Sequence, residues 1–157
     1  TAHLTPPWQK KKKQTNRAIR RAAFLMGLTV SRTMMLFQVP TIEMLGGENP
    51  NGWLGPWVCD TVLGLLTPFM IRMVLKEKGT FTWGYLLVFN CVGANDYANG
   101  LLAQYLDPVV SMIGMKPTPS MFVYGSVGTC MVAQLSVVTV LLRRDVVEHY
   151  LGGSKEK

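Results

Sequence analysis

Residues 53–75, WLGPWVCDTVLGLLTPFMIRMVL, form a long apolar stretch with a single acid and a single base. Because a bilayer core about 30 Å thick is crossed by roughly 20 apolar helical residues, this stretch predicts a transmembrane helix. Comparable stretches occupy residues 22–39, 81–104 and 120–142. None of them alternates polar and apolar residues with the period of two that marks a transmembrane β-strand. The sequence therefore predicts an all-α, polytopic integral membrane protein with four transmembrane helices.

These stretches take up more than half of the chain's 157 residues. No separate soluble domain fits in the remainder. We predict one transmembrane domain over residues 22–142, preceded by a basic tail at 1–21 and followed by a basic tail at 143–157. The first tail has four consecutive Lys residues, unlike the Arg- and Ser-rich pattern of a transit peptide, so it is expected to belong to the mature protein.

The basic residues predict the orientation of the chain. All 16 Lys and Arg residues except Arg32 and Lys116 lie before the first stretch, at the link between the second and third, or after the fourth. Short basic loops remain on the cytoplasmic, stromal or matrix side of a membrane. Both termini are therefore expected inside, in a bacterial inner membrane, a thylakoid membrane or a mitochondrial inner membrane. An aromatic belt is predicted from Trp53 and Trp57, at the outer edge of the second stretch, and from Trp83 and Tyr85, near the inner edge of the third.

The net charge of +7 is explained by these inside segments. We expect the N-terminal basic run to hold anionic lipid head groups, which attract each nearby basic residue by about 1 kcal/mol. An acidic partner protein is the second interpretation. Nucleic acid is not expected, because no aromatic residue interleaves the run to stack on bases. The predicted head-group residues are Lys10, Lys11, Lys12, Lys13, Arg20 and Arg21.

The cysteines and histidines restrict the cofactors. Cys59, Cys91 and Cys130 lie in three different stretches, without the paired spacing of a disulfide framework or a zinc site. His3 and His149 lie outside the stretches, so a haem with intramembrane His ligands is not expected. We expect no metal, no catalytic set, and a structural lipid as the bound molecule. A pigment held by Asn or Gln is the alternative.

Three charged residues stand deep within the apolar stretches, where each costs about 2.5–3.5 kcal/mol and normally faces other helices. Arg32, Asp60 and Asp96 each lie roughly seven or eight residues, or about 10–12 Å, below the predicted outer end of their stretch. Three charges from three helices are therefore expected in one layer. We predict a salt bridge from Arg32 to Asp60, to Asp96 or to both.

The third stretch contains the densest polar segment, GANDYANG at residues 93–100. Asn95 and Asn99 are separated by one helical turn and share a face. Asn side chains hydrogen-bond between membrane helices, at about 0.6 kcal/mol each, and Gly93 and Gly100 allow a neighbouring helix to approach. We interpret the segment as a contact between helices. The alternative is a polar pocket for a head group, an ion or a proton that opens to the outer side.

The fourth stretch carries small residues at helical spacing. Gly125, Thr129 and Ala133 follow one another one helical turn apart. Small residues let two backbones come close where no hydrophobic effect drives them together. These three are therefore predicted to pack against another helix.

Three classes of function remain open. The first is a small non-catalytic accessory subunit of a larger membrane complex, photosynthetic or respiratory, whose partners are other subunits or further copies of the chain. The second is a small oligomeric transporter, or a proton or ion pathway, that uses Asp60 and Asp96. The third is an enzyme on lipid or quinone, which is weakest because no nucleophile–base pair is visible. The 10 Met residues, suited to adaptable contacts, favour the first.

Overall fold

A computed structural model describes residues 7–45, 49–110 and 119–152. All regular structure in these ranges is helical, which confirms the predicted all-α class. The α-helices are α1 (Pro7–Leu28), α2 (Met35–Gln38), α3 (Ile42–Leu45), α4 (Asn51–Lys76), α5 (Thr80–Leu106), α6 (Ser120–Leu141) and α7 (Arg144–Leu151). Two 3₁₀ segments, Thr29–Met34 and Val39–Thr41, link α1 to α2 and α2 to α3.

Among the described residues, three helical segments are long and apolar enough to cross a membrane: Lys11–Met44, Asn51–Lys76 and Ser120–Leu141. They indicate a membrane protein. The remaining long helix, α5, has 27 residues, which is enough to cross a bilayer at about 1.5 Å per residue. Helix α5 is not one of the three apolar segments, because the amides and the acid of GANDYANG lower its hydropathy.

The basic N-terminal segment is helical and continuous with the first apolar stretch, because α1 begins at Pro7 and runs through it. Proline suits the first turn of a helix, where a backbone N–H has no intrahelical partner. One face of α1 is at most 6% exposed and packs into the bundle, at Thr15, Ala18, Ala22 and Met26. Helix α1 and its buried face therefore continue without interruption across residue 22, the predicted boundary between the basic tail and the transmembrane domain.

The four long helices form a ring in which each contacts two neighbours. α1 and its 3₁₀ continuation pack against α4 and α6, and α5 packs against the same two helices from the opposite side. The half of the bundle next to α7 has an apolar core whose members are at most 6% exposed: Leu63, Val74, Leu86, Phe89, Val137 and Leu141. This arrangement brings the 3₁₀ segment, α4 and α5 together in the other half.

The C-terminal segment folds back as α7 and closes one end of the bundle. Val146 and Tyr150 are fully buried. Tyr150 Oη donates to the Val74 carbonyl at 2.8 Å, and the Tyr150 carbonyl accepts from the Gly79 N–H at 3.1 Å. Gly79 has a φ of 115°, a conformation that favours glycine. Residues 144–151 are thus packed rather than a free tail, and residues 153–157 lie outside the described part of the chain.

Trp53 and Trp57 are core residues, so the outer part of the predicted aromatic belt is wrong. They are 3% and 2% exposed and pack with Val109 and Val123. Trp53 Nε1 donates to the Asp107 carbonyl at 2.9 Å. The indole thus finds its hydrogen-bond acceptor inside the fold rather than at the membrane surface, and its ring fills the core between α4 and α6.

Candidate functional site

One buried arginine joins three helices inside the bundle. Arg32, in the 3₁₀ segment, has a side chain only 1% exposed. Its Nε donates to Asp60 Oδ1 on α4 at 2.6 Å, and its Nη2 donates to Asp96 Oδ2 on α5 at 2.5 Å. The rigid fork of a guanidinium suits such a double contact. The predicted salt bridge is therefore present with both carboxylates, and we call Arg32, Asp60 and Asp96 the ion cluster.

A glycine lets α4 approach the 3₁₀ segment closely enough for this contact. A Cβ at Gly64 would lie 2.5 Å from Thr33 Oγ1 and 2.6 Å from the Thr33 backbone nitrogen. No side chain fits there unless backbone moves. Gly64 carries no signal in the sequence, because it belongs to no small-residue repeat and its contact partner lies on a different helix.

Tyr97 packs on the guanidinium. Arg32 Cζ lies 4.2 Å from the centroid of the Tyr97 ring, which is a cation–π contact. Within the described residues, Arg32 Nη1 and Tyr97 Oη are buried without a hydrogen-bond partner. Both residues line a cavity of about 90 Å³ beside Asp60. The sequence does not single out Tyr97, because a tyrosine in an apolar helix is ordinary.

Asn95 and Asn99 point into a different space, a cavity of about 510 Å³ between α4 and α5 that we call the amide groove. Asp96 forms part of its wall. Both Asn side chains are exposed, and neither hydrogen-bonds to the described part of the chain. The α4 wall includes Gly52, Trp53 and Gly55. The α5 wall is a row at alternating spacings of three and four residues, which we call the α5 row: Val92, Asn95, Asn99, Leu102 and Leu106.

The two glycines predicted to pack on α5 contact α6. A Cβ at Gly93 would lie 2.7 Å from Gln134 Oε1. Gln134 is 1% exposed, and its Nε2 reaches Thr29 Oγ1 at 3.5 Å. A Cβ at Gly100 would meet Val127 Cγ1 at 3.8 Å, an ordinary contact. Gly93 therefore admits a buried amide that no sequence pattern connects to it.

The small residues of α6 are divided between two faces. Ala133 is 5% exposed. Gly125 and Thr129 are exposed, a Cβ at Gly125 would meet nothing within 4 Å, and Thr129 Oγ1 donates to the Gly125 carbonyl of its own helix at 2.7 Å. The predicted packing of these two residues against another helix does not occur within the described residues. The reason is that the face of α6 that packs into the bundle is the one that carries the buried side chain of Gln134.

The predicted head-group residues lie along α1. Those whose side chains the structure describes are all exposed: Lys11, Lys12, Lys13, Arg20 and Arg21. The side chain of Lys10 lies outside the described part. Exposure leaves these cations accessible to lipid, to solvent or to another protein.

One ion pair, between Lys11 and Glu148, and one hydrogen bond, from Thr15 Oγ1 to Asp145 Oδ2 at 3.0 Å, connect α7 to α1. Lys11 Nζ lies 2.9 Å from Glu148 Oε2, and Arg144 Nε pairs with the other Glu148 oxygen at 2.9 Å. Hydrogen bonds from Lys11 and then Arg144 lower the pKa of the Glu148 carboxyl. Burial acts to raise the pKa of Asp145, but hydrogen bonds from Arg143 and Thr15 outweigh it and lower that pKa. Both carboxylates therefore stabilise the docked α7 in their charged form.

The chain matches no family model, no curated protein and no solved structure. Among the described residues, no group of three or more His, Cys, Asp or Glu side chains is placed to hold a metal ion. Its function is therefore inferred from the ion cluster and the amide groove.

Proposed function

We propose that this chain is a small non-catalytic subunit of a larger membrane assembly, photosynthetic or respiratory, and that the amide groove binds a transmembrane helix of another subunit or of a second copy. In this proposal α5 is the fourth transmembrane helix and both termini lie inside, in a bacterial inner, thylakoid or mitochondrial inner membrane. The observation that carries it is the exposed pair of amides, Asn95 and Asn99, at the depth of the ion cluster.

The contacts of α5 support its placement as a membrane span. Asp96 of α5 binds Arg32, which also binds Asp60. Arg32 and Asp60 each lie in a segment apolar enough to cross a membrane. α5 also packs along α4 and α6. A helix tied between two spanning helices lies in the same layer of the bilayer, which supports α5 as the fourth span. Its lower hydropathy then reflects residues that face protein instead of lipid.

The amides of Asn95 and Asn99 require hydrogen-bond partners at that depth. Lipid tails offer none, and an unsatisfied polar group in hydrocarbon costs several kcal/mol. A neighbouring helix supplies the partners, because Asn side chains bridge membrane helices. The three–four spacing of the α5 row is the spacing of a helix-packing seam. Gly55, where a Cβ would meet nothing within 4 Å, keeps the α4 wall open to such a helix.

The ion cluster supports a structural role. Each carboxylate accepts a hydrogen bond from Arg32, so one cation is shared by both acids within the chain. Removing either partner of a buried ion pair is costly, because the other charge is left without compensation. The cluster therefore holds the 3₁₀ segment, α4 and α5 in register, and that register fixes the direction of the two amides.

Substitution of the amides tests the proposal. The protein would be extracted from its native membrane in mild detergent, and its size and co-purifying subunits compared between variants. We expect Asn95→Leu with Asn99→Leu to release a folded chain from the assembly, since each substitution removes a hydrogen-bonding side chain. The matched control, Thr129→Leu with Thr139→Leu, changes two exposed polar residues on α6 and should remain assembled. An amide variant that keeps all wild-type partners would overturn the proposal.

Labelling tests the topology. In a chain whose native cysteines are replaced by alanine, single cysteines at Asn51 and Ser154 would be treated with an impermeant thiol reagent on sealed vesicles. Opposite-side labelling is expected, with Ser154 inside. Labelling from the same side would contradict four spans with both termini inside.

A second candidate function is a proton or ion pathway through the ion cluster. It is favoured by the position of the cluster between two cavities, because Asp96 borders the amide groove and Asp60 borders the 90 Å³ cavity. Reconstituted flux separates the two functions. If Asp96→Asn abolishes flux and leaves assembly intact, the pathway is correct. If Arg32→Leu destroys assembly and the wild type shows no flux, the subunit proposal stands.

A further inference from the structure

A third cavity lies at the other end of the molecule, where α1 meets the link between α6 and α7. It has a volume of about 410 Å³ and we call it the basic groove. Its charged lining is basic throughout: Lys13, Arg17, Arg21 and Arg143. The first three lie at successive spacings of four residues, which places them on one face of α1. Arg143 comes from the link after α6, so two separate elements of the fold converge on this space.

Most of this positive charge has no counter-charge within the described residues. Lys11 and Arg144 pair with Glu148, and Arg143 pairs with Asp145 at 3.1 Å, but Lys13, Arg17 and Arg21 form no ion pair there. Like charges one turn apart on a helix repel each other. The groove therefore favours an anion, and an arginine pair offers the forked donors that match phosphate oxygens.

The surface next to the groove is apolar. Along the same side of α1, Arg21 is followed by Phe24, which is 68% exposed, and by Leu28, which is 45% exposed. The face thus changes from cationic to apolar in the direction that leads into the apolar segment of the helix. A phospholipid has the same order, with a charged phosphate followed by acyl chains.

We infer that the basic groove binds the phosphate of an anionic phospholipid, with an acyl chain along Phe24 and Leu28. The inference rests on the membrane placement proposed above and not on the partner helix at Asn95 and Asn99. It assigns Arg17 and Arg143 to lipid binding, beside Lys13 and Arg21. It leaves Lys12 and Arg20 outside the site, because they border only a neighbouring cavity formed by α1 alone.

The test compares two variants of equal charge. The purified full chain in neutral detergent would be titrated with phosphatidylglycerol or phosphatidylcholine of the same chain length, and bound lipid counted by native mass spectrometry. Arg17→Gln with Arg21→Gln should bind phosphatidylglycerol about 10- to 30-fold more weakly, given the usual attraction per basic residue. Lys12→Gln with Arg20→Gln removes the same charge from the same helix and should bind as the wild type does.

Two results would overturn the inference. Equal weakening in both variants would mean that net charge alone attracts the lipid. Complete displacement of phosphatidylglycerol by millimolar inorganic phosphate, with no effect of Phe24→Ser on lipid binding, would mean that the groove takes a free anion. Neither result bears on the assembly proposal, which is read separately at Asn95 and Asn99.

Discussion

Arg32 Nη2 and Asp96 Oδ2 lie 2.5 Å apart although 64 residues separate them in the chain. The same guanidinium binds Asp60, so one side chain connects the 3₁₀ segment, α4 and α5. A 3₁₀ stretch inside a longer helix often marks a strained or functional segment. Here it carries the residue on which the contact of three helices depends.

The first prediction concerns loss of this arginine. Arg32→Leu leaves the buried Asp96 carboxylate and the partly buried Asp60 carboxylate close together without a cation. We expect the free energy of unfolding in detergent to fall by about 3–5 kcal/mol. The measurement is reversible unfolding of the detergent-solubilised protein, followed by circular dichroism. Arg32→Leu combined with Asp60→Asn and Asp96→Asn should recover much of the loss, because no unpaired charge remains. If Arg32→Leu unfolds as the wild type does, the ion cluster does not hold the helices.

The second prediction concerns Gly64. Gly64→Ala places a Cβ against the Thr33 backbone, so α4 and the 3₁₀ segment must separate. Overpacking of this kind costs about 1–3 kcal/mol. Gly84→Ala is the matched control, because its Cβ would meet nothing within 4 Å on α5. The midpoint temperature of thermal unfolding should therefore fall below the wild-type value in Gly64→Ala and lie at or above it in Gly84→Ala. Equal stability of both variants would contradict the close approach.

A third prediction uses the contact between Gly93 and Gln134. Gly93→Ala forces the Gln134 amide to move, and the far end of this flexible side chain yields more easily than backbone does. We expect a loss of about 1–3 kcal/mol, at the lower end of that range. Gln134→Ala empties the space, so adding Gly93→Ala to it should cost little further stability. A double-mutant cycle on unfolding free energies measures this coupling, and strict additivity would show that the two residues do not touch.

The fourth prediction concerns pH and the docking of α7. The pKa of Glu148 is lowered in the folded state from its ordinary value of 4.5. A lowered folded pKa means that Glu148 contributes its full stabilisation above that ordinary value and loses it as the pH falls through the lowered one. Asp145, whose pKa is lowered from 3.8, acts in the same direction. Hydrogen exchange in α7, corrected for the intrinsic rate, should therefore rise below about pH 4.5.

Two variants provide the control for this pH dependence. Glu148→Gln cannot ionise, and Lys11→Gln removes the first hydrogen-bond donor to the carboxylate. Both should show faster exchange in α7 at neutral pH and a smaller change on acidification. Exchange that rises with acid to the same extent in Glu148→Gln as in the wild type would assign the effect to another group.

The sequence predicted the helical class and the shared layer of Arg32, Asp60 and Asp96, and the structure shows both. It did not predict that Trp53 and Trp57 are buried, because a Trp at the end of an apolar stretch has the same pattern in a membrane interface and in a core. Nor did it find Gly64, whose role is defined only by Thr33 on another helix. The two α6 residues expected to pack, Gly125 and Thr129, face outward for a similar reason, since a small-residue repeat does not say which way its helix turns.

Hydropathy and distance along a helix axis are properties of the chain in one dimension, so the sequence alone indicated a membrane protein and predicted that the three charged residues lie in one layer. Rotation of each helix about its own axis depends on all its neighbours at once, and only the tertiary structure decided it. That rotation places Asp96 against Arg32 and directs Asn95 and Asn99 out of the bundle. The physical reason is that burying the charged side chains with their partners fixes the inward face of α5, and Asn95 and Asn99 are left at the edge of that face, where they line the amide groove with Asp96.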